Sequence, residues 1–265
     1  QPKDERTLQW MQDLLLRWSV IPIGEVQIHV GMMIFRARLH DPTMIYNHRS
    51  QLTYNPVARL NRCNWHDQPL FYGATLPRDR NLDSDTVPAL RETSAALRAG
   101  KYPNETFTLS IWRVTKPFVL YKPLFDQEAE DLILKEPVPK QARIRELVEV
   151  LRKGFTDEIV DREDYLPTAA FCQNMYARDI KGFAYPSVAN DYRVHNVALM
   201  PSVADECLEL IGARLVQTRV GTNGNVKGCL YKNTCAYDEP FTWYDLHERY
   251  AFGLPFVYHP WPYDY

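Results

Sequence analysis

The sequence predicts one domain of mixed helix and strand, of the α+β type. Three observations point there. Segments with apolar residues at helical spacing are interleaved with short alternating or wholly apolar runs. The chain has 265 residues, 45% of them apolar, which suffices for one substantial core. No internal repeat, low-complexity tract or composition shift marks a linker.

Residues 4–18 carry Leu8, Met11, Leu14, Leu15 and Trp18 at helical spacing, and Ile21-Pro22-Ile23-Gly24 ends that helix. Residues 25–39 read as extended. Residues 41–69, rich in Asn, Asp, Pro and Arg, read as a long loop of the kind that usually carries function. Leu70-Phe71-Tyr72-Gly73 is a buried strand, followed by a polar insert over 77–87. A Pro-started helix covers 88–97, and two strands within 106–121 flank Lys116-Pro117. A charged loop with Glu128, Glu130 and Asp131, read as solvated surface, leads into the strongest helical stripe, Ile144, Leu147, Val148, Leu151, Phe155 and Ile159. Another helix spans 167–178, and 182–186 and 196–200 are strands. Thr222-Asn223-Gly224-Asn225, between alternating runs 214–220 and 226–231, signals a hairpin. The tail, 256–265, is aromatic and Pro-rich.

Charge excludes some functions. With 31 Lys+Arg against 33 Asp+Glu the net charge is −2, so no global basic field draws the chain to nucleic acid. No apolar run approaches the roughly 18–20 residues of a spanning helix, so no membrane partner is expected. The start, Gln1-Pro2-Lys3-Asp4-Glu5, is unlike a signal peptide and lacks Met, and the chain is expected to be a piece of a longer protein. Five scattered cysteines (Cys63, Cys172, Cys207, Cys229, Cys235) without a C-x-x-C pair fit a reducing, cytoplasmic working environment, reached either directly or by delivery into a target cell as part of a larger effector.

Common catalytic motifs are missing: there is no G-x-S-x-G elbow, no phosphate-binding G-x-x-x-x-G-K-[ST] and no H-E-x-x-H. Cys63-x-x-His66 has no second ligand pair at matching spacing, so no metal site is expected. Cys229 and Cys235, about a hairpin apart, are expected to be free thiols.

Four separated residues carry the functional case jointly. Arg62 stands in Asn61-Arg62-Cys63-Asn64; Tyr72 follows ten residues on, and Glu92 twenty beyond that, in Leu90-Arg91-Glu92-Thr93-Ser94. Ser187 closes Gly182-Phe183-Ala184-Tyr185-Pro186-Ser187. Singly, each has an ordinary structural reading: a loop-bridging arginine, a core tyrosine, a surface glutamate and a turn-capping serine.

In this order, over roughly residues 35–210, the residues resemble the RES-domain family, named for its Arg, Glu and Ser. The resemblance implies an ADP-ribosyltransferase-like fold, a mixed, mostly antiparallel split sheet flanked by helices. The whole chain then forms one such domain, with an N-terminal helix over 4–18 and an extension over about 212–265. It also implies a toxin that depletes NAD by breaking the nicotinamide–ribose bond, with NAD as substrate rather than cofactor and an antitoxin or immunity protein as partner. Arg62, Tyr72, Glu92 and Ser187 would be catalytic; Arg36, Asn64 and Tyr185 would bind the dinucleotide. Arg36 and Arg38, read as pointing to opposite faces of a strand, would have at most one facing the site, and Arg36 is assigned the phosphate contact.

The residue types suit that reaction. Departure of nicotinamide leaves an oxocarbenium-like ribose, which a carboxylate such as Glu92 stabilises more in the transition state than in the ground state. The Arg62 guanidinium offers a planar fork to the pyrophosphate. Tyr72 offers a ring face to nicotinamide and a hydroxyl to the sugar, and Ser187 a hydrogen bond to the carboxamide or a phosphate. Nicotinamide leaves as a neutral pyridine, so neither a strong general acid nor a metal is required.

The chain departs from the family pattern in three places. Asn61 replaces the usual Gly before the Arg, and its tolerance of left-handed backbone is expected to preserve the turn. The Tyr72–Glu92 interval is lengthened by the 77–87 insert, and the tail after about 212 has no family counterpart; it extends the sheet, binds a partner or covers the pocket. Three functions compete: NAD glycohydrolase or phosphorylase, mono-ADP-ribosyltransferase, and non-catalytic nucleotide- or partner-binding module. Leu90, where transferases often place a second carboxylate two residues before the catalytic Glu, favours hydrolysis.

Overall fold

A computed structural model describes residues 21–41, 43–44, 46–75, 88–98, 105–157, 161–190, 194–220, 226–235 and 239–245. The helix expected over 4–18, the polar insert, the 222–225 turn and the aromatic tail lie outside them. Among the described residues, ten strands form one sheet: β1 (Ile23–Ile28), β2 (Met33–Leu39), β3 (Phe71–Thr75), β4 (Thr106–Val114), β5 (Phe118–Pro123), β6 (Gly182–Pro186), β7 (His195–Leu199), β8 (Leu208–Val220), β9 (Val226–Cys235) and β10 (Tyr244–Asp245), in the order β1-β5-β6-β7-β3-β2-β4-β8-β9-β10. Among the described residues, β5–β6 is the parallel pairing; the other pairings are antiparallel. The α+β reading with a mixed, mostly antiparallel sheet therefore describes the molecule.

The helices are α1 (Arg49–Leu52), α2 (Pro88–Thr93), α3 (Ala95–Arg98), α4 (Gln127–Ile133), α5 (Val138–Thr156), α6 (Leu166–Tyr176) and α7 (Pro201–Cys207). None of the described helices is long and apolar enough to cross a membrane. Strand alternation sends side chains to two buried faces. On one, Phe183 and Ala198 meet Leu147, Leu151, Phe155 and Phe171 of α5 and α6. On the other, Ile34, Phe71, Trp112, Val197 and Leu199 meet Val203 and Ala204 of α7.

Several local expectations need correction. The acidic stretch 128–131 is helical: the Asp126 side chain accepts from the Glu128 amide, capping α4, and two acids sit in the positive first turn. The helix expected over 88–97 is two helices, because the Ser94 hydroxyl caps α3 by accepting from the Leu97 amide. The extended stretch 25–39 is two strands separated at Gly31, whose φ of 88° suits glycine. α7, with Pro at its first position, was not anticipated from its seven residues. Cys229 and Cys235 lie along one strand, β9, and not across a hairpin from each other. The hairpin itself is present, with Val220 opposite Val226, and β8–β10 show that the tail extends the sheet.

Candidate active site

The site begins where the sheet opens. β2 and β3 are paired only at Ile34↔Thr75 and Phe35↔Ala74, while β2 continues along β4 as far as Leu39. Beyond that point a cavity of about 310 Å³ is walled by Phe35, Arg36 and Ala37 of β2, Tyr72 and Gly73 of β3, Glu92 and Thr93 of α2, and Arg62, Tyr165, Tyr185 and Asn196. It lies at the lower end of the range for small-molecule sites, about 300–1,000 Å³. Arg62, Tyr72, Glu92, Arg36 and Tyr185 thus come together around one space, although they derive from five separate segments.

Glu92 projects from α2, which packs through Ala89 and Leu90 onto Ala74, Phe107 and Leu109. Its Oε1 accepts a 2.5 Å hydrogen bond from the Ser187 hydroxyl. Ser187 is fully buried just after β6 and is not in the cavity wall, so its role differs from the expected contact with carboxamide or phosphate: it holds the carboxylate. Asn190, which sequence reasoning missed, donates to Ser187 Oγ at 2.7 Å and to the Pro88 carbonyl at 3.2 Å.

Arg62 is presented by a tight turn in which Asn61 and Asn64 exchange backbone hydrogen bonds of 3.1 and 3.3 Å. Asn61 does not keep this turn through a left-handed backbone; Asp67 and Asp179 are the described non-glycine residues with positive φ. Its side-chain oxygen instead accepts from the Arg62 amide at 2.8 Å. The Arg62 guanidinium donates to the carbonyls of Gly154 and Asp157, the latter at 2.9 Å, and lies 5.3 Å from the Tyr165 ring centroid. It therefore caps the negative end of α5 while standing in the cavity wall, so part of the fork expected for pyrophosphate is already engaged.

Tyr72 and Asn64 also depart from expectation. The Tyr72 hydroxyl accepts from the Cys63 amide at 3.1 Å and donates to Asn64 Oδ1 at 2.7 Å. Asn64 spends its amide on the Arg59 and Trp65 carbonyls, each at 2.8 Å. The hydroxyl thus ties β3 to the Arg62 turn instead of facing a sugar, and Asn64 is a hub of that turn outside the cavity wall. Burial, then the neighbouring Cys63 and Tyr185, holds the Tyr72 phenol well above its usual range. Tyr185 is likewise pushed up by burial, with Cys63 and Glu92 adding to the rise and Arg62 opposing it. Tyr72→Phe is expected to leave the Cys63 amide and Asn64 Oδ1 without this partner, lowering stability by about 1–3 kcal/mol, read as a fall in urea midpoint.

Arg36 and Arg38 do not diverge. Residues two apart on a strand share a face; Ile34 marks that face, and Phe35 and Ala37 the other. Arg36 lies 5.6 Å from the Phe71 ring centroid and donates to the Tyr72 carbonyl at 2.7 Å across the opening between β2 and β3. Its Nε is buried without a hydrogen-bond partner among the described residues. Burial first, then the Arg38 charge, lowers the guanidinium to about 9. A cation so placed favours an incoming anion. Arg38 donates to the Thr53 carbonyl at 2.7 Å, away from the cavity wall.

A model of the RES domain matches residues 33–217. The chain belongs to the RES-domain family. The match opens at the first residue of β2 and closes within β8, so every candidate residue of this RES domain falls inside it. The family is associated with NAD-acting enzymes. No curated protein matches the chain. The cavity walls of this RES domain also include Thr93 and Tyr165, and Asn190 stands behind them; reading the sequence singled out none of these three. Only Asn190 left a usable signal, a polar residue three positions after the serine in a short turn.

Proposed function

We propose that this RES domain cleaves the nicotinamide–ribose bond of NAD, with water as acceptor, yielding nicotinamide, ADP-ribose and a proton. The observation that carries the reading is the Glu92 carboxylate, held by the Ser187 hydroxyl and set in the wall of the same cavity as Arg62 and Arg36. As the C1′–N bond breaks, its electron pair stays on the pyridine nitrogen and positive charge develops on the ribose. Glu92 stabilises that charge. Water then bonds to C1′ and loses a proton. Arg36, desolvated in the cavity wall and without a carboxylate partner among the described residues, and the remaining donors of Arg62 suit the pyrophosphate. The Tyr185 and Tyr72 rings suit the nicotinamide and ribose.

Hydrolysis is preferred to transfer because Leu90, two residues before Glu92, is 4% exposed and packed in the core, leaving no acceptor-positioning carboxylate there. Phosphate in place of water gives the phosphorolytic variant of the same step. Action in the cytoplasm and neutralisation by a partner protein belong to this reading through family membership. Mass spectrometry of NAD incubated with the pure chain tests it: nicotinamide and ADP-ribose in equal amounts are expected. Near-stoichiometric ADP-ribose on a macromolecule would select the transferase, and tight NAD binding without consumption the binding module.

A further inference from the structure

We infer that Asn190 is a positioning residue that sets the direction of the Ser187–Glu92 hydrogen bond and so holds the carboxylate toward the cavity. The inference rests on the reading of Glu92 given above. Asn190 ends the 3-10 turn Val188–Asn190, whose first two residues wall the cavity. Its own side chain is buried behind that wall, at 8% exposure, beside the fully buried Ser187.

The amide orientation follows from chemistry. The Pro88 carbonyl can only accept, so the Asn190 nitrogen, not its oxygen, must face it at 3.2 Å. The same nitrogen has a second proton, and it lies 2.7 Å from Ser187 Oγ. Ser187 therefore accepts from Asn190, and its single proton is directed to Glu92 Oε1 at 2.5 Å. The network runs one way, from amide to hydroxyl to carboxylate, with every donor used. Pro88 is also the first residue of α2, one turn before Glu92 on the same helix. One side chain thus fixes both the hydroxyl that holds the carboxylate and the helix that carries it.

Asn190→Asp is nearly isosteric but replaces the donor with an acceptor, which competes with Glu92 for the serine proton. The experiment compares Asn190→Asp, Ser187→Ala and the double variant in nicotinamide release. It adds a carbon-13 spectrum of chain labelled at the glutamate carboxyls, with the Glu92 resonance assigned by its loss in Glu92→Gln. Asn190→Asp is expected to lower kcat by about tenfold or more with KM within about twofold, since the carboxylate loses a charge-assisted hydrogen bond that matters most as charge develops on the ribose. The double variant is expected to be no slower than Ser187→Ala, and the Glu92 resonance to move in Asn190→Asp while the others stay. A loss confined to KM, independent losses that multiply in the double variant, or an unmoved resonance overturns the inference. If Asn190→Asp does not fold, Asn190→Ala is read by the same measurements. If the unaltered chain releases no nicotinamide, the NAD reading fails, and the resonance alone then decides the role of Asn190.

Discussion

Glu92→Ala is expected to slow nicotinamide release from NAD by at least about a hundredfold, with KM for NAD changed by less than about threefold. The asymmetry follows from when the charge appears. Ground-state NAD carries its positive charge on the pyridinium ring; only as the glycosidic bond stretches does it move onto the ribose, where a carboxylate lowers its energy. Glu92→Gln separates charge from shape, because its side-chain oxygen can still accept from the Ser187 hydroxyl that now bonds Glu92 at 2.5 Å. It should resemble Glu92→Ala in kcat while keeping stability closer to that of the unaltered chain. Initial rates measured by nicotinamide chromatography check both variants. Undiminished turnover in Glu92→Ala would remove Glu92 from the reaction.

Gly182→Ala is expected to destabilise the domain by about 3 kcal/mol, near the upper end of what overpacking costs. A Cβ at Gly182 would stand 2.5 Å from the Ala198 carbonyl oxygen and 2.9 Å from Leu120 Cδ2. The first neighbour is backbone of the adjacent strand and cannot turn aside. β6 would have to move off β7, and β6 leads directly to Tyr185 in the cavity wall and to Ser187 beneath Glu92. Gly24→Ala is the matched control: its new methyl would meet mainly the flexible Lys122 and Leu124 side chains, at 3.0 and 3.1 Å. Urea unfolding of the two variants should separate them clearly. Equal midpoints would mean that β6 and β7 do not approach so closely.

Much of this architecture was legible in local pattern. The apolar stripe Ile144, Leu147, Leu151 and Phe155 became α5, and those four side chains are buried. The alternating runs about 214–220 and 226–231 became β8 and β9. Such signals survive because a 3.6- or 2-residue period reports which side of one element meets the core. Periodicity said nothing about partners. β4 and β5 are consecutive and nearly touch in sequence, yet β4 pairs with β2 and β8 while β5 pairs with β1 and β6. The charged stretch is solvated, as its composition suggests, but it is the helix α4 and not a loop: half-exposed Glu130 is paired with Arg145 of α5, a contact across 15 positions.

The ordered set Arg62, Tyr72, Glu92 and Ser187 was available from the amino acids alone, and with it the family. What each member does was not. Ser187 meets Glu92 across 95 positions, and Arg62 meets the Asp157 carbonyl across the same separation. Whether a hydroxyl faces a ligand or a neighbouring loop depends on the strands and helices that enclose it. A linear pattern can therefore record which chemical groups are present, while burial and long-range hydrogen bonding assign Tyr72 to the turn, Ser187 to the carboxylate and Arg62 to the end of α5.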